Sequence, residues 1–271
     1  MSNPWDILIL GCGRLGGNLK TELESEKFRV LGVRRSQIEH DATFLSLDLD
    51  LSESWNRLAN LPLSENAVIV AIVTPDARTE DSYRRRYVGV SARLRYFASL
   101  PGRGHRVVWV SSTAVFGQKQ TGLLDESVLP VPDHWRGILV KEAEDNISEI
   151  QAKTTILRFA GLYTAQSLDK LRDPVMREKL NPESISNRIH RDDAVNWLRR
   201  LVTDHHNHAA TPNIVHGVDR GSTQYRQIFD RLDGTRSQIH SAEVGRVITT
   251  RYRAQMPALR HPTLDSVLTR P

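Results

Sequence analysis

A glycine-rich turn between an apolar segment and a periodic one is the feature that most constrains the fold of this chain. Residues 11–16 (Gly-Cys-Gly-Arg-Leu-Gly) follow the apolar run 7–10, and leucines 15, 19 and 23 then recur at helical spacing. In such a strand–turn–helix the first glycine permits a tight turn, the second lets the backbone approach a pyrophosphate, and the third allows close helix packing. Free N–H groups of the first helical turn face the phosphates. The pattern favours a dinucleotide site over an ordinary glycine-rich turn. The residues predicted to contact the dinucleotide here are Gly11, Gly13, Arg14, Leu15 and Gly16.

Two arginines about twenty residues further on favour NADP(H) as the cofactor. Residues 28–33 are predicted as the next strand, and Arg34 and Arg35 follow it directly, at the distance where a dinucleotide fold brings the chain beside the adenosine ribose. A carboxylate there would bind a 2′-hydroxyl, whereas a guanidinium fork matches a 2′-phosphate. The alternative is that both arginines face water. The missing acid also argues against an S-adenosylmethionine methyltransferase, since such folds usually hold the ribose hydroxyls with a carboxylate.

The composition is that of an ordinary globular protein. Of 271 residues, 39% are hydrophobic and 25% are charged, which suits one large α/β domain with or without a small appendage. The net charge of +5 comes from dispersed arginines without aromatic interleaving, so no nucleic-acid partner is expected. A single cysteine, Cys12, excludes an internal disulfide and suits a reducing cytoplasm. No apolar run reaches membrane-spanning length, and a cytoplasmic protein with a small-molecule substrate is therefore expected.

Apolar segments alternate with helical ones along the first part of the chain, which is typical of a parallel sheet covered on both faces. After the second strand, further strands are predicted at residues 43–47, 67–73, 107–110 and 155–157. Residues 79–100 are predicted as a long helix whose arginines form a solvated charged face. Asp48, after the third strand, either reaches the adenine or begins a loop. The prediction is an α/β doubly wound parallel sheet with an NADP-binding domain at 1–160 and a small C-terminal substrate lobe at 161–271, interleaved as one unit.

Three further motifs lie along the chain: Val-Ser-Ser-Thr-Ala-Val-Phe-Gly at 110–117, Leu-Arg-Phe-Ala-Gly-Leu-Tyr at 157–163, and Arg-Ile-His-Arg-Asp-Asp-Ala at 188–194. They resemble motifs of the extended and atypical short-chain dehydrogenase/reductases, the NAD-dependent epimerase/dehydratase group with a Rossmann fold. With the glycine turn, the resemblance runs over nearly the full length. It implies a homodimer formed through the long helices near 79–100 and 136–151.

The resemblance also implies roles for individual residues. Ser112 would hydrogen-bond the reacting oxygen, and Lys141 aligns with the lysine that holds the nicotinamide ribose and lowers the pKa of a catalytic tyrosine. Gly137 stands where that tyrosine belongs. The usual proton relay is therefore missing, and we expect the lost phenol to leave open space beside the nicotinamide.

Other residues could take over proton transfer or contact the substrate. Histidine side chains can transfer protons near neutral pH, which makes His134 a candidate, although an exposed loop histidine is the alternative. Tyr163 could position substrate, and His190 could instead cap a helix. The predicted catalytic residues are Ser112, Lys141, His134 and Tyr163. The predicted substrate contacts are Ser112, Thr113, Gly137, Tyr163 and His190. Residues 204–208 (Asp-His-His-Asn-His) resemble a metal cluster by composition, but a solvated loop is favoured and no metal site is predicted.

These observations predict an NADPH-dependent oxidoreductase acting on a small carbonyl, imine or sugar-like substrate. The main alternative is a protein that binds NADP without turnover, as a redox sensor or scaffold. Epimerisation or dehydration is a subsidiary possibility, weakened because both reactions normally use the missing tyrosine.

Overall fold

A seven-stranded parallel sheet forms the centre of the structure, a computed structural model that describes residues 3–36, 41–100, 105–235 and 245–268. Its strand order is β11-β7-β5-β4-β1-β2-β3, and every neighbouring pair in it is parallel. The strands in chain order are β1 Trp5–Leu10, β2 Val30–Arg34, β3 Phe44–Ser46, β4 Leu63–Ala71, β5 Arg106–Ser112, β6 Gly122–Leu124, β7 Thr154–Phe159, β8 Gly161–Tyr163, β9 Ile185–Ser186, β10 Arg188–His190, β11 Ile214–Gly217, β12 Thr223–Gln224 and β13 Arg246–Ile248.

Helices cover both faces of the sheet, so the predicted doubly wound α/β architecture is confirmed. They are α1 Arg14–Ser25, α2 Ser52–Ala59, α3 Glu80–Tyr83, α4 Val90–Ser99, α5 Trp135–Ser148, α6 Ala165–Asp169, α7 Pro174–Glu178, α8 Arg191–His206, α9 Tyr225–Leu232 and α10 Asp265–Leu268. A π-helical turn, Arg84–Gly89, joins α3 to α4, so the predicted long helix contains a local widening. Leucines of α1 and residues of α8 share one core cluster with β1, while α4 and α5 pack on the opposite face. The sheet is therefore buried on both sides, which explains its continuous apolar strands.

The second half of the chain contributes directly to the central sheet. Strand β11, which the sequence did not predict, pairs with β7, and α8 packs beside α1. The remaining C-terminal elements form short two-stranded pairs, β8 with β10 and β9 with β12, around a separate small apolar cluster that includes Tyr163 and Leu168. The strand β13 pairs with β6 from the first half. A division at residue 160 into two functional domains stays a prediction.

Among the residues that the structure describes, no helix combines the length and apolar character needed to cross a membrane.

Candidate functional site

A cavity of about 700 Å³ opens at the carboxyl ends of β1, β2 and β4, within the usual size of small-molecule sites. It contains five of the residues predicted to contact a dinucleotide, and its position follows from the parallel sheet, whose strand ends converge on one edge. The residues that line it are Gly11, Cys12, Gly13, Arg14, Val33, Arg34, Arg35, Ser36, Leu47, Leu49, Ile72, Val73, Thr74 and Arg86.

The three glycines of the turn have different surroundings. Gly11 adopts a φ of +86°, and a Cβ atom there would lie 2.1 Å from the carbonyl oxygen of Ile72. A Cβ at Gly16 would lie 3.1 Å from the Gly11 carbonyl oxygen and 3.2 Å from the Ile9 side chain. At Gly13, by contrast, a Cβ would meet no atom within 4 Å. The turn is thus tight at Gly11, closely packed at Gly16, and open at Gly13, where a pyrophosphate could approach the backbone.

The amino terminus of α1 adds backbone donors to this cavity. Gly13 is the N-cap residue and no side chain caps the helix there, so the N–H groups of its first turn lack the side-chain acceptor that many helices have. The side chain of Leu15 is buried in the core, which leaves only its backbone for a ligand. These features fit the pyrophosphate of a dinucleotide.

Cys12 is buried at the same turn, and burial raises the pKa of its thiol to about 11. The side chain sits against β2, where a Cβ at Gly32 would lie 2.9 Å from its sulfur. A protonated thiol packed in this way fits a small structural residue and not a reactive nucleophile.

The two arginines at the end of β2 differ in their partners. The Arg34 Nε atom donates to the carbonyl oxygen and hydroxyl of Ser36, at 3.1 and 2.9 Å, and no carboxylate among the described residues pairs with its guanidinium. Arg35 instead forms a two-pronged ion pair with Asp76, with one contact at 2.8 Å. This hydrogen-bonded pair, more than any other contact, lowers the pKa of Asp76. Of the two arginines at the end of β2, Arg34 is therefore the one without a carboxylate partner among the described residues.

Arg86 contradicts the predicted solvated face of the 79–100 helix. It is 4% exposed and lines the cavity, with Asp48 and Asp50 each 3.2 Å and Asp76 3.4 Å from its guanidinium. A buried guanidinium needs such partners, and the three acidic residues that follow β3 and β4 supply them. Asp48 is thus engaged by Arg86 and is not among the residues lining the cavity. Three other arginines of this segment, Arg84, Arg85 and Arg95, are about half exposed as predicted.

The structure corrects the expected open space at Gly137. Ser112 ends β5, and its Oγ accepts a hydrogen bond of 3.2 Å from the Ala114 N–H at the start of a 3-10 turn, Thr113–Val115. Gly137, in the first turn of α5, packs directly against that turn, because a Cβ atom would lie 2.5 Å from the Ala114 carbonyl oxygen and 3.0 Å from Pro132. Glycine at position 137 therefore lets α5 pack closely against the 3-10 turn, and no open space remains where a side chain would be.

The predicted proton-transfer residues of α5 have local partners. Lys141 pairs with Asp145 one helical turn further on, and it is not among the residues that line the cavity. His134 is the N-cap of α5, and its Nδ1 accepts a hydrogen bond of 3.3 Å from the Arg136 N–H. The structure thus gives both residues structural contacts, and their catalytic roles stay predictions.

Tyr163 and His190 are brought together by the pairing of β8 with β10. Their rings meet edge to face at 5.2 Å. Burial is the main cause, and the nearby Asp219 carboxylate the second, of a raised pKa of the Tyr163 phenol. The raised pKa disfavours Tyr163 as a proton donor. The pKa of His190 is lowered mainly by burial and secondly by the neighbouring His261. The Nδ1 atom of His190 accepts a hydrogen bond of 3.3 Å from the Asp192 N–H, so the helix-capping interpretation of His190 holds.

A buried ionic network that the sequence did not reveal lies beside Ser112. The preceding residue, Ser111, donates to Glu144 of α5 at 2.6 Å, and Arg158 of β7 binds both oxygens of that carboxylate, at 2.9 and 2.7 Å. Arg158 also lies 3.4 Å from the His216 imidazole of β11. These side chains tie α5 to the ends of three strands. Arg158 belongs to the motif at residues 157–163, but nothing in the sequence indicated that its partner Glu144 would be buried.

The histidine-rich stretch 204–208 is not the solvated loop that was expected. It begins in the last turn of α8, where His205 is fully buried. The His205 Nε2 atom lies 2.8 Å from the Thr155 hydroxyl, and burial lowers the pKa of the ring to about 4. This histidine therefore anchors α8 to β7.

No protein-family model matches the chain, and no curated protein matches it. Several solved structures, however, are similar to this chain. A protein from Methylobacillus flagellatus assigned as an NAD-dependent epimerase/dehydratase is 26% identical, with a TM-score of 0.75 over 97% of this chain and 96% of that one. MoeE5 in complex with UDP-glucose and NAD is 20% identical, with a TM-score of 0.72 over 97% and 96% of the two chains.

A third similar structure is a short-chain dehydrogenase/reductase superfamily protein from Agrobacterium tumefaciens with bound NAD. It is 15% identical, with a TM-score of 0.74 over 97% of this chain and 94% of that one. The chain therefore has the Rossmann-type α/β fold of its structural neighbours, which are NAD-dependent epimerase/dehydratase and short-chain dehydrogenase/reductase proteins.

Proposed function

We propose that this chain binds NADP(H) in the cavity around the glycine turn and acts as an oxidoreductase on a small carbonyl, imine or sugar-like substrate. The observation that carries the proposal is the cavity itself, which is lined both by the open Gly13 at the uncapped start of α1 and by Arg34 at the end of β2. The bound nicotinamide would supply or accept the hydride. Similar structures with bound NAD support the cofactor class, and MoeE5 with UDP-glucose supports a sugar-like substrate.

Ser112 is the residue that we propose to contact the reacting oxygen. Its Oγ accepts the Ala114 N–H, which leaves the hydroxyl hydrogen free to donate to a carbonyl oxygen. A Ser112→Ala variant should lose the consumption of NADPH with a panel of carbonyl and imine compounds while still binding NADPH. Cofactor consumption that is unchanged in this variant would remove Ser112 from the reaction.

A non-catalytic NADP-binding sensor or scaffold is the second candidate. It is favoured by the contact between Gly137 and Ala114, since backbone fills the place in which the related enzymes are expected to carry a phenol. Tight NADPH binding without consumption by any compound of the panel would support it. Epimerase or dehydratase activity is a third candidate.

We also propose that the chain forms a homodimer through α4 and α5. Sedimentation would test this oligomeric state.

Arg34 should determine the preference for the phosphorylated cofactor. We expect Arg34→Ala to weaken NADPH binding by about 1.5–3 kcal/mol, or roughly tenfold to a hundredfold, because a charged hydrogen bond to the 2′-phosphate is lost. NADH binding should change less than about twofold. Calorimetric titration of both nucleotides measures this, with Arg57→Ala, an exposed arginine of α2, as the control. Equal losses for both nucleotides would refute the assignment.

Asp76 should oppose NADPH binding, because it neutralises Arg35 and also lies 3.4 Å from the guanidinium of Arg86, and both arginines line the cavity. We expect Asp76→Asn to strengthen NADPH binding by about 1.4 kcal/mol, or tenfold, and to leave NADH binding nearly unchanged. The matched control is Asp81→Asn, which removes an exposed partner of Arg85. If NADPH bound no more tightly to the Asp76 variant, Arg35 would have no part in holding the 2′-phosphate.

A further inference from the structure

A cluster of three side chains with metal-binding chemistry lies away from the cofactor cavity. His190, Asp192 and His261 each offer one donor atom, and these atoms lie within 4.8 Å of one another. It is the one such group within the parts of the chain that the structure describes. The two imidazole rings are 3.9 Å apart between centroids, and the Asp192 carboxylate is 3.8 Å from His190 Nδ1.

The donor atoms of the two histidines have few or only long hydrogen bonds to other described residues. His261 is 7% exposed, and its Nδ1 atom is buried without a hydrogen-bond partner among the described residues, although most buried polar atoms have one. The only hydrogen bond that His190 Nδ1 accepts there is the long one, 3.3 Å, from the Asp192 N–H. The Asp192 side chain is half exposed, so it can rotate. A cation could therefore satisfy atoms that the protein leaves poorly satisfied.

The surroundings hold one of the three ligands, His261, in place. Asp193, which is fully buried, accepts the backbone N–H groups of Arg260 and His261 at 2.7 and 2.9 Å, and so fixes the segment that carries His261. Support of this kind around a ligand is common in metal sites. Asp192 and Arg260 also line a cavity of about 290 Å³ between α1 and α8, so the Asp192 side of the cluster is open to solvent.

We propose that His190, Asp192 and His261 form a binding site for a divalent metal ion of the zinc class. Two imidazoles and one carboxylate are a ligand set that zinc accepts in four-coordinate sites, with a fourth position left for water. Zinc–ligand bonds of about 2.0–2.2 Å require the donor atoms to come closer than they are here, so the half-exposed Asp192 side chain and the imidazole rings must shift when the ion binds. This site is independent of the proposed dinucleotide cavity.

The test is zinc uptake by the full chain without an affinity tag. Protein freed of metal by chelator and then equilibrated with Zn²⁺ should retain one equivalent, measured by atomic emission after dialysis. Co²⁺ in its place should give the strong visible absorption of a four-coordinate ion. Asp192→Asn, which changes an exposed residue, and His261→Gln should each lose the bound equivalent.

A matched control comes from the histidine-rich stretch 204–208. His208 is a non-glycine residue with a φ of 56°, a conformation that asparagine tolerates, so His208→Asn should fold and retain one zinc. As a check that does not depend on stoichiometry, zinc should raise the unfolding temperature of the wild type and not that of Asp192→Asn. No retained zinc in the wild type, or equal retention in the Asp192 and His261 variants, would overturn the proposal.

Discussion

Replacing Glu144 by alanine is expected to lower the free energy of unfolding by about 3–5 kcal/mol, because it leaves the buried guanidinium of Arg158 without its counter-charge. Both side chains are 2–3% exposed, and two hydrogen bonds, at 2.9 and 2.7 Å, join them. Ser111 would lose its acceptor in the same substitution. Urea unfolding followed by circular dichroism measures the change.

Glu142→Ala is the control on the same helix. Glu142 lies 3.8 Å from Arg84, with both side chains about half exposed, and such surface pairs contribute about 0–1 kcal/mol. The double variant Glu144→Met with Arg158→Met should recover much of the lost stability, since a buried pair replaced by apolar side chains is often neutral. A loss below about 1 kcal/mol for Glu144→Ala would mean that water reaches this network.

Replacing Gly13 by valine should weaken the binding of all four nicotinamide dinucleotides by about 1.4–2.8 kcal/mol, which is roughly tenfold to a hundredfold. A side chain at this position meets no protein atom within 4 Å, and the φ of −84° requires no left-handed backbone. The added methyl groups would instead occupy the side of the turn that faces the cavity. Calorimetric titration with each nucleotide measures the loss.

Gly17→Ala provides the comparison for Gly13→Val. A Cβ atom at Gly17 would likewise meet no atom within 4 Å, but Gly17 lies one turn further along α1, where alanine should stabilise the helix by about 0.5–1 kcal/mol. Its nucleotide binding should equal that of the wild type. Dinucleotide affinity that is unchanged in Gly13→Val would show that the pyrophosphate does not approach this turn.

The parts of the fold that follow from local pattern were predictable. Most strands of the central sheet are apolar runs such as β4. A short apolar run between two helical segments can form few structures other than a buried strand. Strand β11 was missed because it has four residues, one of which is His216. That histidine is buried beside Arg158 of the neighbouring β7, which lies 3.4 Å away, a partner that no local pattern shows.

The parts of the site that depend on tertiary contacts were not predictable. The burial of Arg86 depends on three carboxylates from two separate loops, so an arginine-rich helix gave no sign of it. The Arg35–Asp76 pair joins positions 41 residues apart. The sequence showed that Gly137 lacks a side chain, but only the position of the Ala114 carbonyl oxygen, 2.5 Å from where a Cβ atom would lie, shows why none fits.

The measurement that tests the central claim most directly is a calorimetric titration of the wild-type chain with NADPH, NADP, NADH and NAD. We predict one binding site, with NADPH and NADP bound about tenfold or more tightly than NADH and NAD, because Arg34 would contact only the 2′-phosphate. Preference for NADH and NAD would contradict the role of Arg34. Failure of all four nucleotides to bind would contradict the assignment of the cavity as a dinucleotide site.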